Sequence, residues 1–291
     1  MSGYMSLIDL VVVAGAAVVL PVALGRWTGA WLAVAASTAV ALSLDPGPVG
    51  LVLALPWLGL ATAATVPAGL AAVRAGRPTL DAVAGVAAPA FAVVAGTGLV
   101  VSCGDLGLFD FGEPITRLAA VHFTFAGTAT THLGRVAVRT AAGGSRRRQR
   151  AATTGLVLAL VAPPVVGLGF FTEEAVAQVG GAILMAASAY LISGVHLAEA
   201  GPARHTRVGR LLLVSGLSAW VPMALAVAWA LAQQTGGPAL SIPDMARVHG
   251  SLNAFGFVGC GLAARWLVAH PTPEPVVPPP AEPAVPRPVP A

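Results

Sequence analysis

The sequence contains no lysine, and charged residues make up only 10% of its 291 positions. Together with a hydrophobic content of 56% and a mean hydropathy of +0.82, this scarcity of charge excludes an ordinary soluble domain. Only two cysteines are present, without clustered histidines, which excludes a structural zinc site. Cys103 and Cys260 differ in predicted depth by roughly 20 Å at the helical rise, so no disulfide is expected between them.

The chain also lacks a glycine-rich phosphate loop, a nucleophile elbow and a nucleotide-binding motif. An enzyme of a standard class acting on a soluble substrate is therefore not expected, and neither a cofactor nor a metal site is predicted. The pI near 10.0 does not indicate nucleic-acid binding, because the arginines follow the loops of a membrane protein.

What the chain does have is a series of nine apolar stretches separated by short loops. A hydrocarbon core of about 30 Å requires about 20 apolar residues at the helical rise, and lipid forces such segments to be helices. The predicted spans are 7–25, 28–44, 49–73, 80–101, 115–138, 151–171, 174–197, 208–232 and 243–268. The sequence thus predicts an all-α polytopic bundle over residues 1–268, with the lipid bilayer as its partner.

The arginines predict the orientation of this bundle. All 16 basic residues are arginine, and under this span assignment only Arg117 and Arg247 lie on the side opposite to the others. Because basic loops stay in the cytoplasm, the N-terminus is predicted outside and the C-terminus inside a bacterial plasma membrane. An even number of spans would break this alternation. No basic residue precedes the first span and Arg26 follows it, so a cleavable signal peptide is not predicted.

Two basic or proline-rich segments lie on the predicted inner side. The loop 139–150 is the most basic part of the chain and is interpreted as a topology anchor, with anionic-lipid or partner binding as the alternative. Residues 269–291 are rich in proline and predict a disordered or polyproline II cytoplasmic tail, to which no function is assigned.

The fifth predicted span carries more polar residues than its neighbours. At about 100° per residue, one narrow sector of the helix carries two arginines and three threonines. These are Arg117, Thr124, Thr128, Thr131 and Arg135, and the neighbouring stripe holds His122, Phe125, Ala129 and His132. A substrate or ion path is one interpretation. The alternative is that the threonines bond to carbonyls of their own helix and that small residues allow close helix packing.

The ninth span shows a comparable pattern, with polar and small residues on one face: His249, Asn253, Gly256 and Cys260. Pro114 and Pro243 suit the first turn of the fifth and ninth helices. His122 and His249 then lie roughly 9–12 Å below the outer starts of their helices. The two helices are therefore predicted to be neighbours that share one site.

Two segments of these helices resemble a known family. The runs His122-Phe-Thr-Phe-Ala-Gly127 and Arg247-Val-His-Gly-Ser-Leu-Asn-Ala-Phe-Gly-Phe257 are similar to the signature segments of YndJ-like proteins, a bacterial family of polytopic membrane proteins usually labelled as transporters. The resemblance implies that His122, Arg247, His249 and Asn253 matter, and it implies no particular substrate.

Three functional classes remain open, with a transporter or permease placed first. Its expected site is one outward-facing polar cavity that takes an unknown small molecule, with preference for an anionic or strongly polar group. Glu113 and Asp244 are placed at its mouth, where Glu113 has the i,i+4 spacing for an ion pair with Arg117. The predicted substrate-binding or translocation residues are Arg117, His122, Thr124, Thr128, Arg247, His249, Asn253, Glu113 and Asp244.

The second class is an intramembrane enzyme that protonates a lipid or isoprenoid with a buried carboxylic acid, as terpene cyclases do. Its candidate acids and aromatic residues are Glu113, Asp110, Glu173, Glu174, Asp244, Phe109, Phe111, Phe123, Phe125 and Tyr190. The third class is a haem or metal protein that uses His122 and His249, and it is placed last. His196 and Glu199 are expected at the inner surface, without a role in the site.

Overall fold

The computed structural model describes residues 6–25, 27–107 and 113–271, without the side chains of residues 113 and 114. Within these ranges the backbone is helical apart from short connections, and it contains no strand. The predicted all-α class is therefore confirmed. Several residues named above lie outside the described part of the chain: Arg26, Phe109, Asp110, Phe111, the side chain of Glu113, and the tail from residue 272 onward.

The described residues form nine continuous helices. They are α1 (Leu7–Leu24), α2 (Thr28–Ser43), α3 (Pro48–Arg74), α4 (Leu80–Gly104), α5 (113–141), α6 (Arg146–Thr172), α7 (Ala175–Ala203), α8 (Arg207–Thr235) and α9 (Ile242–Ala269).

Seven of the nine helices are long and apolar enough to cross a membrane: α1, α3, α4, α6, α7, α8 and α9. The remaining two differ for separate reasons. Helix α2 is apolar but has 16 residues, fewer than the roughly 20 that span a hydrocarbon core. Helix α5 has the length, but its arginines, histidines and threonines make it more polar than the others. The chain is thus a helical apolar bundle, compatible with an integral membrane protein.

Short polar side chains start several of these helices. The hydroxyl of Ser6 accepts a hydrogen bond from the backbone N–H of Asp9, while the Asp9 carboxylate accepts one from the backbone N–H of Ser6, which makes a capping box. Thr79, Ser145 and Thr206 cap α4, α6 and α8 in the same way through one hydrogen bond each. These caps satisfy N–H groups that the first helical turn leaves without partners.

The bundle has two main groups of packed side chains. The first group is formed mainly by helices α1, α2, α3 and α4. In it, Trp31 of α2 and Trp57 of α3 meet edge to face, and the Trp57 indole donates to the Ala92 carbonyl oxygen of α4 at 3.0 Å. The second joins α1 with α5 to α9. Helix α5 contacts α1, α4, α6, α7 and α9. The most polar helix therefore lies inside the bundle, where its polar groups avoid lipid.

Three of the helices widen into π-helical segments. These are Gly15–Val19 in α1, Phe123–Ala129 in α5, and both Ala246–Gly250 and Leu252–Gly259 in α9. The segment in α5 contacts both the segment in α1 and the segment Leu252–Gly259 in α9. Widened turns of this kind occur mostly as single insertions, frequently at functional sites. Their meeting point lies where the sequence places the two histidines.

Candidate functional site

An ion pair joins α1 to the first turns of α5. The Nη1 atom of Arg117 donates to the Asp9 carboxylate at 3.1 Å, and its Nε atom donates to the Ser102 hydroxyl on α4, also at 3.1 Å. The Asp9 side chain is 5% exposed and that of Arg117 is 18% exposed. Arg117 therefore ties three helices together. The proposed pairing with Glu113 involves a side chain outside the described residues.

Both candidate-site threonines of α5 bond to backbone carbonyls, whereas the buried hydroxyl of Thr131 has no partner among the described residues. Thr124 donates to the Ala120 carbonyl oxygen four residues earlier at 2.7 Å, and Thr128 donates across to the Ala88 carbonyl oxygen of α4 at 2.8 Å. Both side chains are buried. Further along the same helix, Arg135 forms a two-pronged ion pair with Asp81 of α4. This face of α5 packs against α4, and its polar groups serve that contact, as the packing alternative expects.

The His122 ring occupies a different side of α5. It lies beside the backbone carbonyl of Pro163 on α6 and packs edge to face on Phe123, with ring centroids 5.1 Å apart. The His249 ring of α9 is an electrostatic neighbour of His122. The Nε2 atom of His122 is buried and has no hydrogen-bond partner among the described residues. A bare ring nitrogen of this kind is costly unless something donates to it.

The second histidine is held by α8. The Nδ1 atom of His249 lies 2.7 Å from the Pro222 carbonyl oxygen. Because a carbonyl only accepts, Nδ1 carries a hydrogen, and in the neutral ring Nε2 is then an acceptor. The Nδ2 atom of Asn253 lies 3.3 Å from that Nε2, which completes the acceptor's bond. The Oδ1 atom of Asn253 is left buried without a partner among the described residues.

His122, His249 and Asn253 thus leave two buried polar atoms without a partner among the described residues, His122 Nε2 and Asn253 Oδ1. Helices α5 and α9 contact each other through their π-helical segments, so the predicted pairing of these two helices is observed. The Asn253 Oδ1 atom only accepts, so it requires a hydrogen-bond donor such as a hydroxyl, an amine or a water molecule. The His122 Nε2 atom accepts from the same kind of group when the hydrogen of the neutral ring is on Nδ1. An anion without a hydrogen to donate would leave Asn253 Oδ1 unsatisfied.

Arg247 on α9 lies apart from the histidines. The Arg247 side chain is 71% exposed and pairs with Asp244, itself 49% exposed, at 3.1 Å on the surface of α9. The structure therefore brings together His122, His249 and Asn253. It places Thr124 and Thr128 against α4, Arg117 against Asp9, and the pair of Arg247 and Asp244 outside this group.

Comparison with known proteins bears on these same helices. The family model described as YndJ-like protein matches residues 7–257, which is most of the chain. The chain belongs to the YndJ-like family. No curated protein and no solved structure matches it. The match includes His122, His249 and Asn253, and it confirms the family resemblance seen in the two segments quoted above.

The carboxylic acids of this YndJ-like chain give the enzyme alternative little support. Glu173 and Glu174 are exposed, and the Asp244 side chain is half exposed. An acid that protonates an alkene needs burial to stay protonated near neutral pH. Among the described residues, Asp9 is buried and Glu199 is largely enclosed, and both carboxylates form ion pairs with arginine rather than standing as unpaired acids.

The haem and metal alternative is likewise without support in the YndJ-like chain. Both nitrogens of His249 already have polar neighbours, Pro222 and Asn253. No group of three or more metal-binding side chains occurs among the residues that the structure describes. No disulfide joins Cys103 and Cys260, in agreement with their predicted difference in depth.

A second polar group in the YndJ-like chain was not predicted as a site. The sequence predicts His196 at the inner surface, and in the structure its side chain is fully buried. Glu199 is also largely enclosed, with a side-chain exposure of 12%, and it pairs with Arg148 and Arg265. The sequence signal that could have revealed this group is Arg265 inside the ninth apolar stretch, because a charge within a membrane helix requires a partner.

Proposed function

We propose that this protein is a transporter or permease of nine spans in the bacterial plasma membrane, with the N-terminus outside. Its substrate or coupling proton binds at His122, His249 and Asn253 in the outer half of the bundle. The observation that carries the proposal is the pair of buried polar atoms on two contacting helices, His122 Nε2 and Asn253 Oδ1, that have no partner among the described residues. Polar groups of this kind inside a membrane bundle mark substrate or proton paths by default.

The contact between His249 and Asn253 supports an exchange of protons with the bound molecule. When His249 gains a proton at Nε2, that atom becomes a donor and no longer accepts from the Asn253 amide. A rotation of the amide then brings Oδ1 to the new N–H and releases Nδ2. Asn253 therefore has two arrangements, one for each charge state of His249, and a substrate sees a different hydrogen-bonding group in each.

The backbone of the three contacting helices supports movement at this site. A π-helical turn and an ordinary α-helical turn differ by a single residue in register, so a helix that changes between them rotates its following residues. The proposal places such changes in α5 and α9, on either side of the histidines. Helix α5 then acts as the central helix against which its neighbours rearrange.

The first experiment identifies a ligand. Purified protein in mild detergent is unfolded by heat in the presence of amines, amino acids, polyols and carboxylates, alongside Asn253→Ala and His249→Ala. Compounds that stabilise the wild type but neither variant are then tested for uptake into proteoliposomes with an imposed pH gradient. We expect the ligand to be a hydrogen-bond donor and uptake to be lost in both variants.

Ser188→Ala is the matched control. Ser188 on α7 donates to the Gly155 carbonyl oxygen on α6 at 2.8 Å, a buried bond away from the histidines. This variant should lose roughly 0.6 kcal/mol of stability, the membrane average for such bonds, and keep its uptake. Equal uptake per folded molecule in Asn253→Ala and His249→Ala would refute the site. A Soret band in the purified protein would select haem instead, and chemical conversion of the ligand would select the enzyme.

A further inference from the structure

The inner polar group links four helices through one carboxylate. Glu199 on α7 accepts from Thr140 of α5 at 2.5 Å and from Arg148 of α6 at 2.8 Å through one oxygen. Its other oxygen accepts from Nη1 of Arg265 on α9 at 2.6 Å. Every hydrogen-bond donor to Glu199 comes from a different helix. We call Arg148, Glu199, Arg265 and His196 the inner cluster.

The inner cluster contains more positive than negative charge. Two guanidinium groups share the single carboxylate of Glu199, and the side chain of Arg265 is only 8% exposed. Other groups near Arg265 add no negative charge: His196 and His132 both lie close enough for charge interactions with it. Arg135 and Arg139 on the neighbouring α5 face Asp81 on α4. A buried cation without a full counter-charge is unfavourable, so the cluster favours a second anion.

Three N–H groups of the inner cluster have no acceptor among the described residues. They are Nε of Arg148, and Nε and Nη2 of Arg265, and all three atoms are buried. Buried donors in folded proteins are almost always bonded, so these atoms point to a molecule that supplies acceptors. The geometry at Arg265 is specific. Its Nη1 atom is used by Glu199, which leaves Nε and Nη2 together on the other edge of the same planar group.

That free edge is the two-donor fork that guanidinium groups use to bind carboxylate and phosphate. His196 beside it is held in one tautomer. The Ser215 hydroxyl donates to the Phe257 carbonyl oxygen at 2.6 Å, so it accepts from Nδ1 of His196 at 2.9 Å. In the neutral ring the Nε2 atom of His196 is then an acceptor, and it is buried without a partner among the described residues.

We propose that the Nε–Nη2 edge of Arg265 binds an oxyanion, either a carboxylate or a phosphate, at the inner end of the bundle. Arg265 lies four residues before the end of α9 at Ala269, which is about 6 Å along the helix axis. An anion approaching from that end therefore has a short path. Arg265 lies beyond residue 257, where the family match ends, and the proposal does not depend on the site at His122 and His249.

The test uses the full-length protein in detergent and measures thermal unfolding against inorganic phosphate, and separately against acetate, at constant ionic strength. We expect saturable stabilisation of the wild type. Arg265→Lys keeps the charge and the contact with Glu199 but loses the fork, so its apparent Kd should rise by about tenfold. Arg139→Lys, at a 61% exposed inner-side arginine, is the matched control and should behave as the wild type does.

Two further measurements keep the result decisive. Glu199→Gln removes the existing counter-charge, so this variant should depend on phosphate more strongly than the wild type, an effect that a purely structural role does not produce. Native mass spectrometry then separates the sources of the phosphate group. Retention of phosphatidylglycerol by the wild type and its loss in Arg265→Lys identify a lipid headgroup, whereas stabilisation by free phosphate without retained lipid identifies a soluble anion. Equal anion response and equal lipid retention in the wild type, Arg265→Lys and Glu199→Gln would overturn the proposal.

Discussion

Asp9 and Arg117 lie 108 positions apart in the chain and form a largely buried ion pair. The carboxylate of Asp9 has two tasks, because its other oxygen also accepts from the backbone N–H and the hydroxyl of Ser6. The sequence gives Asp9 no special place among the acids near the outer ends of the spans. Its role depends on α1 being packed against α5, which no local pattern indicates.

We expect Asp9→Asn to lower the stability of the folded protein by about 2–3 kcal/mol, because removing one member of a buried pair leaves the other charge poorly compensated. The loss of stability is smaller than for a fully enclosed ion pair, because the Arg117 side chain is 18% exposed. Thermal unfolding in detergent measures the effect.

Asp244→Asn is the control for this residue, since its pair with Arg247 is exposed and should leave the unfolding temperature unchanged. A combined Asp9→Asn and Arg117→Gln protein tests the coupling. If the losses of the two single variants simply added, the two side chains would not interact and the assigned ion pair would be wrong.

At the scale of the helices, close approach is decided by glycine. Gly127 lies in the π-helical segment of α5, and a Cβ atom placed on it would come within 2.8 Å of Cβ and Cγ of Phe91 on α4. A Cβ atom placed on Gly256 of α9 would likewise come within 2.4 Å of Cβ and Oγ of Ser218 on α8. Both glycines lie in the π-helical segments through which α5 and α9 contact each other, so the helix spacing there depends on the absence of a side chain at these two positions.

Gly127→Ala should therefore destabilise the protein by about 1–3 kcal/mol through overpacking against Phe91. The matched control is Gly194→Ala in α7, where an added Cβ meets nothing within 4 Å. That variant should be neutral or slightly stabilising, because alanine favours helix more than glycine does. Equal unfolding temperatures for the two variants would show that α4 and α5 are not in close contact at Gly127.

Polar pattern and helix packing agree less well within α5. The sequence groups Thr124 and Thr128 with the histidines as one candidate site, whereas the structure turns the two threonines toward backbone carbonyls, including that of Ala88 on α4. The local widening from Phe123 to Ala129 changes the angular spacing that a helical projection at 100° per residue assumes. Residues before and after it therefore share a face differently from the prediction.

For the whole molecule, the ion pairs are consistent with alternating helices. Asp9 and Arg117 lie near the beginnings of α1 and α5, while Arg148, Glu199 and Arg265 lie near the beginning of α6 and the ends of α7 and α9. Antiparallel neighbours place these two sets at opposite ends of the bundle. The proposed orientation assigns the first set to the outside.

Cysteine labelling tests this orientation and the crossing of α5 at once. Leu106→Cys precedes α5 and Gly143→Cys follows it, and both positions are exposed. In a background without Cys103 and Cys260, an impermeant maleimide should label Leu106→Cys on intact cells and Gly143→Cys only after permeabilisation. Labelling of both from one side would show that α5 does not cross, and the reverse pattern would invert the proposed topology.

The sequence by itself determined the helical class, the approximate ends of the helices and the family, because apolar length, capping residues and two short segments are local properties. It also indicated that α5 and α9 carry most of the candidate site residues. The tertiary structure alone decided which of them meet. Arg117 pairs with Asp9, and Arg247 lies at the surface. Glu199 accepts hydrogen bonds from three other helices. Polar partners in a helical bundle are chosen by which helices pack together, and hydropathy carries no information about that choice.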